Sequence, residues 1–305
     1  MPSPAYESAW KLFRTGDLRA AGAVCDDIDG DPEFRLLRAE ILIHRGELNQ
    51  ALSLLSEPTS NAALEARRKM DLGFAECVLA HYAAARQSLD EAHLLAEDAS
   101  VPLAQVEIRQ AYLLFRLGDY RGAEPLYLRA LEVARNASDV FLESVALGGI
   151  GQLRLHSGEY ADAIIWLERS GEAALRAGAR RARARALSEI GCCHVRMGDP
   201  ETGLPLLLEA EAIARETGDA WTQAYCAGDI GNAYAGLQQY ERAVDCYERA
   251  LKLARQLQDP YGAAKWTGNL VDACLKTGRT LSAIRYKKEA LDLRAQLQRA
   301  CREAR

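Results

Sequence analysis

Residues 219–258 read DAWTQAYCAGDIGNAYAGLQQYERAVDCYERALKLARQLQ. Two amphipathic stretches flank Leu237-Gln238-Gln239: the first carries Ile230, Gly231 and Tyr234, the second Tyr240, Ala243, Tyr247 and Ala250. Apolar and small residues at helical spacing on both sides of a tight turn predict a pair of antiparallel helices. The unit recurs along the chain. Gly118, Gly158, Gly198 and Gly278 are separated by multiples of 40 residues, and Gln238 fills the missing place. Upstream the same turn returns at Ala80, Gly46 and Gly16, with spacings of 38, 34 and 30. Eight turns predict eight helix pairs, an all-α chain built by repetition.

Two further columns keep this register. Two residues after each turn stand Leu18, Leu48, Tyr82, Tyr120, Tyr160, Pro200, Tyr240 and Thr280. Five residues after it stand Ala21, Ala51, Ala85, Ala123, Ala163, Gly203, Ala243 and Ala283, so two helices must approach closely there. Gly73, Ala111, Gly151, Gly191 and Gly231 form a second small column before the turn, which Val271 breaks. A large side chain in either column overpacks the interface, at roughly 1–3 kcal/mol. Asp139, Asp219 and Asp259 each precede a first helix and are expected to cap it, whereas Ala179 breaks that column. Pro260 is expected at a first helical position, and Pro125 and Pro205 near the first turn of second helices.

Gly118, Tyr120, Ala123, Tyr127 and Ala130, with Gly231, Tyr234, Tyr240, Ala243, Tyr247 and Ala250, resemble the tetratricopeptide repeat. The likeness runs from about Val101 to Leu293, weakens before Asn61, and departs at Val271, Thr280 and Lys287. The period exceeds the common form of about 34 residues. It is similar to the longer repeats of bacterial signalling proteins and kinesin light chains. In texture it resembles the repeats that precede caspase-like CHAT protease domains. The resemblance implies a right-handed α-solenoid over residues 1–305: shorter repeats over 1–60, an intermediate one over 61–100, and five regular ones over 101–305. Each repeat buries its apolar face only against its neighbours. The last helix, about Thr280 to Arg302, carries Leu281, Ile284, Leu291 and Leu293 with no following helix to cover them. Either Lys287, Lys288 and the charged tail cap the solenoid, or the natural chain continues past Arg305.

Composition excludes several classes of function. The chain is 49% hydrophobic and 27% charged, enough apolar surface for a folded body, and its net charge of −5 argues against nucleic acid or anionic membrane as partner. It has no apolar run of membrane-spanning length and no secretory signal at its start. Eight scattered cysteines without a CxxC pair predict reduced, buried thiols in a cytoplasmic protein. His44, His81, His93, His156 and His194 form no HxxxH pair. Cys192-Cys193-His194 is the densest set of metal-type residues, but neighbours on a helix diverge by about 100° and cannot share one ion. No P-loop or GxGxxG occurs, and Gly148-Gly149-Ile150-Gly151 has the wrong spacing. The expectation is a protein without catalytic residues, metal or cofactor.

Function is therefore expected in the concave groove, which the resemblance assigns to the first helices. Carried over by position, it includes Arg109, Tyr112, Arg116, Gln152 and His156. Arg185, Glu189, Arg196, Tyr225, Asp229 and Asn232 follow, then Lys265, Asn269, Asp272 and Lys276. Six of these are basic and three acidic, a reversal of the chain's overall sign. Asn232 and Asn269 can bond a peptide backbone and the cations can receive carboxylates; the plain alternative is a solvated helix face. Tyr6, Trp10, Phe13 and Phe74, with Glu7, Glu33, Glu40 and Asp71, mark a more apolar and acidic N-terminal groove, or else the core of the first repeat. Arg176, Arg180, Arg181, Arg183 and Arg185 form a charge run, read as a solvated helix start or a docking site for an acidic partner. Three functions stay open: a scaffold gripping a peptide or protein segment, a regulatory or sensor segment of a larger bacterial signalling or CHAT-type protein, and a self-assembling module.

Overall fold

The computed structural model describes residues 3–28, 30–97 and 100–304, and all regular structure among them is helical. The helices pair in chain order. The first four pairs are α1 (Pro4–Thr15) with α2 (Leu18–Asp26), α3 (Pro32–Arg45) with α4 (Leu48–Leu55), α5 (Ala62–Val78) with α6 (Tyr82–Ala96), and α7 (Ser100–Arg116) with α8 (Tyr120–Asn136). The next four are α9 (Val140–Ser157) with α10 (Tyr160–Arg176), α11 (Arg180–Arg196) with α12 (Pro200–Thr217), α13 (Ala220–Gly236) with α14 (Tyr240–Gln256), and α15 (Pro260–Lys276) with α16 (Thr280–Glu303). Most helices pack most closely against their neighbours in sequence. The expected start of the regular repeats, at residues 100 and 101, adjoins residues 98–99, and Arg305 likewise lies outside the described residues.

The turn column adopts the left-handed conformation throughout. Gly118, Gly158, Gly198 and Gly278 have φ between 73° and 86°, while Ala80 and Gln238, which lack glycine's freedom, are held at 61°. The turn is closed by backbone bonds such as Gln239 N–H to Tyr234 C=O, 2.8 Å, which hold whatever residue stands there. A second left-handed column lies between repeats at Ser138, Gly178, Gly218 and Gln258, again 40 apart. Three of the second helices start under an aspartate: Asp17, Asp119 and Asp199 accept from the N–H groups of Ala20, Gly122 and Thr202.

Of the expected first-helix caps, Asp139 accepts from Phe141 and Leu142, and Asp219 from Thr222. Asp259 corrects the expectation. Its side chain makes no cap bond and turns inward instead, to a cation on a distant repeat. Pro125 and Pro205 also depart from it. Each is the sixth residue of its helix, past the first turn, at an exposed position. The small column acts as expected. A Cβ on Gly151 would come within 2.6 Å of Leu167, and one on Gly231 within 2.6 Å of the Tyr247 ring.

The solenoid also touches itself across one superhelical turn. Arg14 of α1 pairs with Asp139 and covers the Phe141 ring at 4.6 Å, while Arg181 of α11 covers Phe13 at 4.9 Å. Trp221 of α13 donates Nε1–H to the Ile43 carbonyl of α3, 2.7 Å. The α16 side chains Leu297, Ala300 and Cys301 join the core around Tyr82. Thus each of the first four repeats meets one four or five places further on, and the superhelix closes on itself with the first helices on its inner side.

Candidate functional site: the inner channel

The channel wall is written in four columns, 13, 9, 6 and 2 residues before each turn residue. These offsets advance by four, three and four positions, so the four residues of one repeat share a single helix face. The predicted groove residues fall on them. Arg185, Tyr225 and Lys265 occupy the first column, and Arg109, Glu189, Asp229 and Asn269 the second. Tyr112, Gln152, Asn232 and Asp272 occupy the third, and Arg116, His156, Arg196 and Lys276 the fourth. Carried into the shorter repeats, the same offsets also pick out Arg14, His44, Arg67 and Asp71. Arg14 and Arg67 escaped the sequence reading because those repeats deviate from the 40-residue spacing; counting back from their own turns finds them.

Most of these side chains bond one another along diagonals between adjacent repeats. Gln152 Nε2 donates to Glu189, 3.1 Å, and Arg185 lies 3.6 Å from the same carboxylate. Lys265 Nζ donates to Asp229, 3.2 Å; Asn232 Nδ2 donates to Asp229 as well, 2.9 Å. Asn232 Oδ1 in turn accepts from Tyr247 Oη–H and Asn269 Nδ2, both at 2.8 Å. Arg116, with only 1% of its side chain exposed, pairs with Asp259 at 3.3 Å, donates to Tyr112 Oη at 2.9 Å and covers the Tyr261 ring at 4.6 Å. Tyr225 Oη–H donates to the other Asp259 oxygen, 3.1 Å. Burial opposes a charge on Arg116, yet Tyr112 and Asp259 hold it firmly protonated.

The N-terminal half is an aromatic ladder. Trp10, Phe13, His44, Phe74, Tyr112, Phe115 and His156 follow ring to ring, with centroids 4.8–6.2 Å apart. Beside it lies an acidic pair: Glu40 takes ion pairs from Arg67 (3.2 Å) and Arg109 (3.4 Å), and Arg109 covers the Phe74 ring at 3.9 Å. Asp71 is fully buried and neither of its oxygens accepts a hydrogen bond. Burial, aided by the Glu40 charge, pushes its carboxyl up to about 8. Of the predicted residues of this end, Trp10, Phe13, Phe74, Glu40 and Asp71 thus meet as one layer of wall, whereas Glu7 is exposed on the outer side of α1.

The C-terminal half is open. His156, Arg185, Arg196, Asp272 and Lys276 are exposed to the channel, and three of the five are permanent cations. Protein crowds His156 and Arg185 even where water reaches them. Burial, with Lys265 and Arg196 beside it, pulls the His156 imidazole down to about 4, so the ring is neutral at pH 7. Burial likewise pushes Glu189 up to about 7 against the pull of Arg185. The arginine run does not act as one patch. Arg176 pairs with Glu143, Arg180 with Glu216, Arg183 with Glu209 and Arg181 with Asp219, while Arg185, paired with Glu189, is the member of the run that stands in the inner columns. Cys192 and Cys193 are buried packing residues, and among the described residues no cluster suits a metal ion and no helix is long and apolar enough to cross a membrane.

Helix pairs stacked in one superhelix, with first helices lining an inner channel, define an α-solenoid. A family model described as tetratricopeptide repeat matches residues 102–176, 182–256 and 220–296. The chain belongs to the tetratricopeptide repeat family. Comparison with curated protein sequences gives no match. Among solved structures it is similar to the Rap conjugation gene regulator of plasmid pLS20 in complex with the Phr* peptide: TM-score 0.71, 14% identity, covering 89% of this chain and 76% of that one. A Rap protein complexed with Competence and Sporulation Factor is similar over 97% of this chain and 98% of its own, with TM-score 0.66 and 15% identity. The APC/C hetero-tetramer Cut9-Hcn1 gives TM-score 0.69 and 17% identity over 97% of this chain, which spans 54% of that one. At these identities the likeness is one of fold.

Proposed function

We propose that residues 1–305 act as one binding body that captures an extended, acidic peptide or protein segment in the C-terminal half of the channel, without chemistry of its own. The observation that carries this is the set Arg185, Arg196 and Lys276: exposed cations on the inner face, two on the sixth repeat and one on the eighth, in a chain of net charge −5. Arg196 and Lys276 stand in one column two repeats apart, so they repeat a contact at regular spacing, as an extended ligand requires. Arginine and lysine on the concave inner side gain more from a carboxylate than on a convex surface, because less salt screens them. The diagonal bonds of Asn232 and Asn269 leave the wall pre-ordered, which lowers the entropy lost on binding. The channel's buried acids Glu40, Asp229 and Asp259 are each held by cations, an arrangement that suits a rigid wall more than proton transfer. Two of the similar solved structures hold a peptide or a factor, which agrees with a ligand of this kind.

The test is selection from a random peptide library, followed by anisotropy titration of the peptides recovered. Wild-type protein is expected to enrich acidic sequences. The R185E/R196E/K276E variant is expected to bind them at least about tenfold more weakly with unchanged helicity. Neutral or basic sequences among those enriched, or equal binding by the variant, would refute the assignment.

A further inference from the structure

The inner columns account for one face of the solenoid, but the last helix presents another. Leu281, Ile284 and Leu291 of α16 are 85%, 62% and 57% exposed. Their environment can be read from the repeat itself. Ile284 and Leu291 stand 40 residues after Val244 and Leu251 of α14, which are 0% and 2% exposed because α15 lies on them. Leu131, three further repeats upstream of Leu251, is buried beneath α9 in the same way. Leu275 of α15, 56% exposed, repeats Phe115, Leu155 and Val195, which their following repeats cover. The face is therefore the seat of a first helix, with its side chains already in place.

From this we infer that the first half of α16 is a docking seat for an amphipathic helix with acidic flanks, supplied by a partner protein. Charge fixes the chemistry of the partner. α16 carries six basic and three acidic residues in a chain of net charge −5, and exposed Arg285, Lys287 and Lys288 border the apolar stripe. A second copy of this chain fits poorly. A tail-to-tail pair sets these cations against each other, and a head-to-tail stack brings α1, whose outward residues Glu7, Ser8 and Lys11 are polar. The seat is short. Arg294 replaces the buried alanines at 134, 174, 214 and 254, so the occupant contacts α16 over about three turns, from Leu281 to Leu291. Beyond that point α16 is committed to the core around Tyr82. This site is independent of the inner channel.

The seat is tested with two labelled peptides of about five turns that share one apolar stripe, one flanked by glutamates and the other by lysines. In anisotropy titrations the acidic peptide is expected to bind wild type at least about tenfold more tightly than the basic one, and to weaken as salt rises. I284D/L291D is expected to lose that binding by about tenfold or more, with helicity and melting unchanged because both positions are exposed. R185E/R196E/K276E is expected to keep it. Equal affinity for the two peptides, no binding of either, binding unaffected by I284D/L291D, or a dimer in light scattering that I284D/L291D abolishes would each overturn the inference.

Discussion

Arg116 shows how one residue can look like a binding group and serve as a bolt. By position it belongs to the basic column that holds Arg196 and Lys276, yet it is buried and closed onto Asp259 from a repeat 143 residues away. Truncating one partner of a buried pair leaves the other charge uncompensated, typically at about 3–5 kcal/mol. Arg116→Ala is therefore expected to lower stability by that amount in urea denaturation, while Asp259→Asn, whose amide oxygen still accepts from Arg116 and whose NH2 can donate to the Tyr225 hydroxyl, costs less. Asp71 predicts a pH effect of definite sign. Its carboxyl is raised to about 8 in the folded chain, against about 4 when unfolded. Between those values the unfolded state has lost the proton that the folded state keeps, so stability is full below about pH 4 and falls as pH rises towards 8. Asp71→Asn is expected to flatten that slope and to stabilise the protein at pH 8 by more than about 1 kcal/mol, measured as denaturation midpoints across pH. Neither role was legible locally. The sequence pattern offers Asp259 as a cap, like Asp139 and Asp219, and nothing within its own repeat reveals Arg116.

At the scale of the helix pair, periodicity carries almost all the information. Every turn counted in the sequence is a left-handed residue, including Ala80 and Gln238, where glycine is absent. A non-glycine residue pays roughly 1–2 kcal/mol to stand there, and glycine gives back about 0.5–1 kcal/mol in unfolded-chain entropy. Gln238→Gly is thus expected to stabilise by about 0.5–1 kcal/mol in thermal denaturation, with no change in the turn. Gly118→Ala in the same column is expected to destabilise despite the open space around it. The second left-handed column was missed because Ser138, Gly178, Gly218 and Gln258 share a backbone angle but no residue type. The proline expectation failed by about one turn, since an exposed second-turn proline is tolerated where a buried one is not. In the channel, offsets from the turn found the wall residues; they could not say which are engaged, because the diagonal bonds join side chains 34 to 37 residues apart and depend on the angle between repeats.

For the whole molecule, an open solenoid and a closed one differ in cooperativity. Stability in an open array is a sum over nearest neighbours, so damage stays local. Here repeats far apart in sequence also meet, and Trp221 is the most direct probe of that seam. Its indole packs with the core of the second repeat and donates to the Ile43 carbonyl, while Leu257 at the end of the same repeat fills the space above Gly46. Removing a large aromatic from a packed site costs about 3–5 kcal/mol when burial is complete, and Trp221 is half-buried, so about 2–3 kcal/mol is expected for Trp221→Ala. The location of the effect matters more than its size. With a closed superhelix, hydrogen exchange in Trp221→Ala accelerates in α3 as well as α13, although 178 residues separate the bonded groups, and small-angle scattering gives a larger radius of gyration at unchanged helicity. If exchange rises in α13 alone and the radius stays constant, the seam contributes little, and the inner wall is held by neighbouring repeats only. An opened seam also admits salt to the channel, so binding that depends on Arg185, Arg196 and Lys276 is expected to weaken in the same variant without any change to those three residues.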